Sequence, residues 1–241
     1  MDLGIAGRVA LVVAGSRGLG RATAEALAGE GVRVMLSSRS EATLAEARAT
    51  LRAAGAEVKT QVADITDPAS PARLVQVTRD AFGGLDIVIA NAGGPPAGRA
   101  LEVDDAALTG AFEANLMSAV RLTREAVPAM REGGWGRICC ISSYSVVQPI
   151  PTLALSNTAR VGLWAWVKTA ALDLASEEAG ITLNLVCPGP HATDRMRELG
   201  GTGVMGDPAD FGSVVAFLCS EQARFVNGAA VVVDGGATLA L

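Results

Sequence analysis

The residues with the clearest chemical purpose in this 241-residue chain are Gly15-Ser16-Arg17-Gly18-Leu19-Gly20. An apolar run at 9–14 precedes them and an Ala-rich stretch follows. Glycines let a backbone turn tightly and approach a diphosphate, while a helix start supplies free N–H groups and the positive end of a dipole. In this strand–turn–helix setting, Gly15, Ser16, Arg17, Gly18 and Leu19 point to a dinucleotide site. A second apolar run ends in Ser37-Ser38-Arg39, where an NAD site usually offers an acid to the adenosine ribose. The first acid here is Glu41, beyond that point. Guanidinium groups match phosphate geometry, so Arg17 and Arg39 favour a 2′-phosphate and the expected cofactor is NADP(H).

The elements that must position these residues follow one rhythm. Short β-branched runs at 8–14, 32–37, 57–63, 85–90, 136–142, 181–186 and 229–233 alternate with helical patterns near 18–29, 40–54, 68–81, 104–131, 152–179 and 207–219. Such alternation predicts βαβ units with right-handed crossovers. The fold class is α/β: a single Rossmann-type doubly wound domain over 1–241, its seven-stranded, mainly parallel sheet covered by helices on both faces. Half of the residues are hydrophobic and 19% charged, enough apolar surface for such a sheet. Segment 190–206, rich in Gly, Met and Arg, interrupts the rhythm and is expected to be a lid over the strand ends. Its Met196, Leu199 and Met205 suggest an apolar pocket.

Composition also excludes. A net charge of −5 argues against nucleic acid. Apolar stretches are too short and interrupted to span a bilayer, and the N-terminus lacks a signal-peptide pattern, so the expected location is cytoplasmic. Cys139, Cys140, Cys187 and Cys219 show no Cys-x-x-Cys spacing and, with one histidine in the chain, no metal site is expected. They are expected to be small buried hydrophobes.

Further motifs, taken together, resemble the short-chain dehydrogenase/reductase family over essentially the whole chain. Asp64-Ile65 resembles its adenine-contacting pair and Asn91-Ala92-Gly93 its sheet-stabilising motif. Pro188-Gly189 with Thr193 resembles the segment that holds the nicotinamide carboxamide, and Val233-Asp234-Gly235-Gly236 the C-terminal signature. The glycine spacing is slightly shifted, and Ala14 stands where the family usually has threonine. The resemblance implies a catalytic Asn, Ser and Tyr, with Lys four residues after the Tyr. Asn115 and Ser143 match the first two, but Ser156 stands at the tyrosine position and Arg160 at the lysine position. Lys168 fits the ordinary continuation of the same helix, so the register carries no gap.

A serine hydroxyl is a far weaker acid than a phenol, whose pKa is about 10. Ser156 can donate a hydrogen bond to a substrate oxygen but does not readily surrender its proton. Arg160 can hydrogen-bond ribose hydroxyls and supply positive charge. Two residues could replace the missing acid: Tyr144, the only tyrosine, and His191, the only histidine, whose unperturbed pKa near 6.5 suits proton transfer. Both also have plain readings, a pocket wall and a solvated loop residue.

Three function classes follow. One is an NADP(H)-dependent carbonyl reductase or alcohol dehydrogenase with a rearranged acid. Resemblance to β-ketoacyl-carrier-protein reductases gives it a small-molecule, oxoacyl or polyketide-like carbonyl substrate. The others are a lyase, cyclase or isomerase on the same fold, and a non-catalytic cofactor-binding protein. Trp164 and Trp166 lie two positions apart on one helix, so one of them is expected on an exposed apolar patch. With the apolar tail 237–241, this implies a homodimer or homotetramer.

Overall fold

The computed structural model describes residues 1–177, 179–200 and 203–240. Seven strands form one wholly parallel sheet: β1 (Val9–Val13), β2 (Arg33–Ser38), β3 (Val58–Val62), β4 (Ile87–Ala90), β5 (Gly136–Ile141), β6 (Ile181–Pro188) and β7 (Ala230–Val233), in spatial order β3-β2-β1-β4-β5-β6-β7. Strand side chains alternate between faces, and β1 shows why its run is apolar throughout. Val9, Leu11 and Val13 enter one core layer, while Ala10 and Val12 enter the other. Adjacent Cys139 and Cys140 divide the same way, and all four cysteines are buried free thiols.

Helices α1 (Gly18–Gly29), α2 (Glu41–Ala53) and α8 (Pro208–Leu218) cover the face of Ala10 and Val12. On the opposite face lie α3 (Ser70–Phe82), α5 (Ser118–Gly133) and α6 (Ala154–Ser176); two shorter helices, α4 (Asp105–Phe112) and α7 (Asp194–Glu198), stand near the strand ends. Helices α1 and α8 touch backbone to backbone: a Cβ on Gly212 would sit 2.5 Å from the Ala22 carbonyl oxygen. Strand order reverses between β1 and β4, so the turns leaving these strands flank the switch-point crevice where such sheets bind ligands.

Two sequence expectations change. The helix expected over 104–131 is broken by a π-helical turn, Glu113–Met117, between α4 and α5. Asn115 causes or fixes that break locally: its amide nitrogen donates back to the Ala111 carbonyl at 3.4 Å, a bond that competes with the helix ladder. Both Trp164 and Trp166 are half-buried against the core, because α6 packs on neighbours across a broad arc. The exposed apolar side chains of α6 are instead Val161 and Leu172. Segment 190–206 contains α7, and Gly201 and Thr202 within it lie outside the described residues, as does Leu241 in the tail.

Candidate active site

The first wall of the site is backbone. Gly15 through Gly20 turn the chain from β1 into α1, with Gly18 at φ 54° and Ala14 at φ 49°. The left-handed region suits glycine, but for Ala14 it is a strained conformation held by its surroundings. Gly20 cannot carry a side chain here, since a Cβ would lie 2.4 Å from the Ala14 carbonyl oxygen. Asn91, following β4, donates to that same oxygen at 3.4 Å and ties the two switch-point turns together. Arg17 occupies the N-cap of α1 without a side-chain cap bond, leaving the first helical N–H groups facing the cleft. Ser16 is fixed from behind, its hydroxyl accepting from Thr43 Oγ1 at 3.0 Å.

A cleft of about 1170 Å³ runs from this turn along the strand ends. Leu19, Ser38, exposed Arg39, Asp64 and Ile65 line one end; Ala92, Gly93, Pro188, Gly189 and Thr193 continue it toward the middle. The Asp64 carboxyl accepts from the Thr66 amide at 3.0 Å and hydroxyl at 2.8 Å. Those bonds, with a smaller pull from Arg39, hold it below the usual carboxylate range. Thr193 caps α7, accepting from the Met196 amide at 3.3 Å, and its methyl faces Gly18, where a Cβ would be 3.6 Å away. The segment after β6 therefore closes against the glycine-rich turn.

The other end is made of side chains. Ser143 follows β5 and its hydroxyl accepts from the Ser145 amide at 3.1 Å, opening the short 3₁₀ turn Tyr144–Val146. Tyr144 is half-buried on the cleft wall, and its hydroxyl has no protein partner among the described residues. Ser156 and Arg160 lie one turn apart on α6. Arg160 Nε donates to Ser156 Oγ at 3.2 Å and Nη1 donates to the Ile141 carbonyl at 3.1 Å. The guanidinium is only 7% exposed and forms no ion pair among the described residues. Burial pushes it down to about 10, opposed by Cys187 and reinforced by the nearby charge of Arg195. It is charged at neutral pH all the same. Burial in turn raises the Cys187 thiol to about 12, against smaller pulls from the Ser143 amide and Arg160.

Beside Arg160 lies a small cavity of about 10 Å³, shared with Asn91 and Asn115. Asn115 is 4% exposed, and its Oδ1 has no protein partner. His191 is also buried rather than solvated. Its Nδ1 lies 3.0 Å from the Gly189 carbonyl, its ring meets Phe211 edge-on at 5.5 Å, and its other edge packs on Gly206. Ser143, Tyr144, Ser156 and Arg160 thus share one end of the cleft, with Asn115 beside Arg160, while His191 also lines the cleft with its ring held against Phe211 and Gly206.

Sequence reasoning missed Arg195. It lies across the cleft mouth, donating to the Pro95 carbonyl at 2.7 Å and resting on Gly94. Its only local signal was a cation inside a polar turn, Asp194-Arg195-Met196-Arg197. Met196 and Leu199 line the cleft as expected, whereas Met205 is not among its lining residues.

A family model described as enoyl-(acyl carrier protein) reductase matches residues 13–238. The chain is 34% identical to the 3-oxoacyl-[acyl-carrier-protein] reductase FabG of Escherichia coli (strain K12), over 95% of this chain and 97% of that one. The chain belongs to the short-chain dehydrogenase/reductase family. It is an oxidoreductase of that type. Human dehydrogenase/reductase SDR family member 4 is 31% identical over 96% of this chain and 88% of its own length. Among solved structures, L-sorbose reductase from Gluconobacter frateurii, complexed with NADPH and L-sorbose, superposes with a TM-score of 0.93 at 31% identity over 100% of both chains. An actinorhodin polyketide ketoreductase with NADPH gives 0.89 at 29% identity, over 95% of this chain and 96% of that one.

Proposed function

We propose that this reductase uses NADP(H) to reduce a small carbonyl compound at an active site in which Ser156 and Arg160 replace the family's tyrosine and lysine. One observation carries this reading: the uncapped start of α1, Arg17 and Arg39 open onto the same cleft as Ser143, Tyr144 and Ser156. The Gly20 cradle fits a group that needs backbone contact, and the two exposed guanidiniums fit a 2′-phosphate at the Ser38 end. Bound NADPH supplies hydride to the substrate carbon.

This chain's own residues do the rest. Gly15, Ser16, Gly18 and Leu19 would hold the diphosphate, and Asp64 with Ile65 the adenine. Asn91, Ala92 and Gly93 form the floor, while Pro188, Gly189 and Thr193 would hold the nicotinamide end. Ser143 and Ser156 direct hydroxyls at the substrate oxygen. Arg160 holds Ser156 and keeps positive charge behind it. Tyr144 is the phenol positioned to give a proton, whereas the packing of His191 suits it to fixing the 190s segment, the lid of this reading. Asn115 supports Arg160 from the far side of the cavity. NADPH-bound reductases of a sugar and of a polyketide among the neighbours support both the cofactor and an oxoacyl or polyketide-like substrate. Val161 and Leu172 on α6 support assembly as a homodimer or homotetramer, which light scattering at micromolar concentration checks.

Fluorescence titration with NADPH and NADH tests the cofactor reading, with NADPH expected to bind at least about tenfold tighter. Tighter NADH binding would overturn it. NADPH consumption against a panel of ketones, compared with Ser143→Ala, then tests the reaction.

A further inference from the structure

Arg160 presents an unusual electrostatic situation. A buried charge is normally paired with an opposite charge, yet this guanidinium has only a hydroxyl and a carbonyl as partners among the described residues. Five N–H donors are available on the group, so those two bonds leave three unused. Among the described residues the surrounding charges do not compensate it. Arg195 is a second cation close enough to act on it, and the Cys187 thiol stays protonated at neutral pH. The acids at the cleft rim, Asp194 and Glu198, pair with Arg197 and Arg195.

Ser156 transmits this charge to the cleft. Its oxygen accepts the Arg160 Nε–H, so its own proton is the one it can donate, and it lines the cleft in which substrate must lie. A hydroxyl polarised in this way stabilises a negative oxygen without losing its proton. We propose that Ser156, backed by the uncompensated Arg160, forms an oxyanion site that selects acceptors whose reacting oxygen becomes a delocalised anion, namely quinones and conjugated enones, over simple ketones.

The chemistry explains the preference. Hydride from a dihydronicotinamide adds to the conjugated acceptor, and the π electrons move onto oxygen as a hydroquinone monoanion or an enolate. The oxidised nicotinamide is the other product, and water protonates the anion afterwards. A phenol-like conjugate acid has a pKa near 10, whereas a simple alkoxide is about as basic as hydroxide, so its conjugate acid is far weaker. Hydrogen bonding and a fixed positive charge suffice for the first anion, while the second also needs a proton delivered during the step, a demand that falls on Tyr144 alone.

The proposal rests on the reductase reading, but its first test needs neither cofactor nor turnover. 4-Nitrophenol is titrated spectrophotometrically with the protein between pH 5 and 9. The phenolate should bind about tenfold more tightly than the neutral phenol, lowering the bound pKa by about one. Ser156→Ala and Arg160→Met should each reduce that preference to below about threefold, while Arg160→Lys, which keeps the charge, should retain most of it. Circular dichroism and NADPH titration of each variant separate a lost site from a lost fold. Equal affinity for both forms in the native protein, or full preference in a folded Arg160→Met, would overturn the proposal.

The second test compares kcat/KM with NADPH for a fully substituted benzoquinone, to which thiols do not add, and for a cyclohexanone of similar size. The quinone should lead by at least about 100-fold; a lead for the ketone would also overturn the proposal. If phenolate preference is present but NADPH is not consumed with either acceptor, the oxyanion site stands and the reductase reading fails. If both acceptors are reduced without phenolate preference, the reverse holds.

Discussion

The two ends of the cleft are built from different materials. At the β1–α1 end, the ligand-facing surface is mainly backbone: a glycine turn, an uncapped helix start and the amide-fixed Asp64. At the β5–α6 end it is hydroxyls, a phenol and a guanidinium, with Ser143 and Ser156 held by neighbours within a turn and Arg160 also by the Ile141 carbonyl of β5. A backbone site tolerates almost no change in its glycines and constrains few other residue types. A side-chain site keeps its shape while its chemistry changes. That difference allows the glycine turn to keep its shape while Ser156 and Arg160 stand at the other end of the cleft.

The largest expected effect comes from breaking the backbone end. Gly20→Val drives new atoms into the Ala14 carbonyl, which a Cβ alone would approach to 2.4 Å. Overpacking of this kind costs about 1–3 kcal/mol, so Tm should fall by roughly 4–10 °C. NADPH affinity should drop by about 100-fold or more as the diphosphate loses its closest backbone contacts. Scanning calorimetry and fluorescence titration measure the two; unaltered NADPH binding would show that the turn is structural only.

The side-chain end should fail in rate instead of in stability. Tyr144→Phe is expected to lower kcat for a simple ketone by about 100-fold, the ordinary cost of losing a general acid, with KM changing far less. Thermal unfolding should be nearly unchanged, because the half-buried hydroxyl has no protein partner to lose. Equal rates for the variant would pass the proton-donor role to another group.

A smaller change separates the cofactor's phosphate from its diphosphate. Arg39→Leu should weaken NADPH by about 10- to 100-fold, a charge-assisted bond's worth, and leave NADH within about threefold. Competition titration of both cofactors reads this directly. Loss of both to the same degree would assign Arg39 to the fold or to the adenine in place of the 2′-phosphate.

Legibility in the sequence follows the same division. The strands could be read because buried parallel strands are apolar throughout, and the glycine turn because its spacing carries its own geometry. The π-helical turn at Asn115 could not, since a side chain bonding back to Ala111 leaves no mark in a helical pattern. His191 looked like a loop residue because Phe211, its ring partner, stands in a different element. Arg195 reaches a carbonyl 100 residues away in sequence, a contact only the folded chain defines. At Ser156 and Arg160 the residue types were plain, but the unpaired burial of the guanidinium was not.

That burial supplies the smallest and most discriminating prediction. Desolvation lowers the Arg160 pKa from its ordinary value to about 10, so keeping the group charged costs the native state stability. The sign is fixed by proton uptake. The unfolded chain binds that proton more tightly than the native state, so this contribution to stability is unfavourable at neutral pH and rises with pH above about 10. Arg160→Met removes the charge and fills much of the same volume. It also forfeits hydrogen bonds to Ser156 and Ile141, worth about 1.5–3 kcal/mol from a charged donor. The balance predicts a Tm at neutral pH equal to the native value or a few degrees above it, together with loss of phenolate preference. A protein that becomes no less stable when its most buried active-site charge is removed holds that charge for chemistry. If Tm instead falls by more than about 5 °C, the guanidinium is a structural brace, and the contrast between the two ends of the cleft disappears.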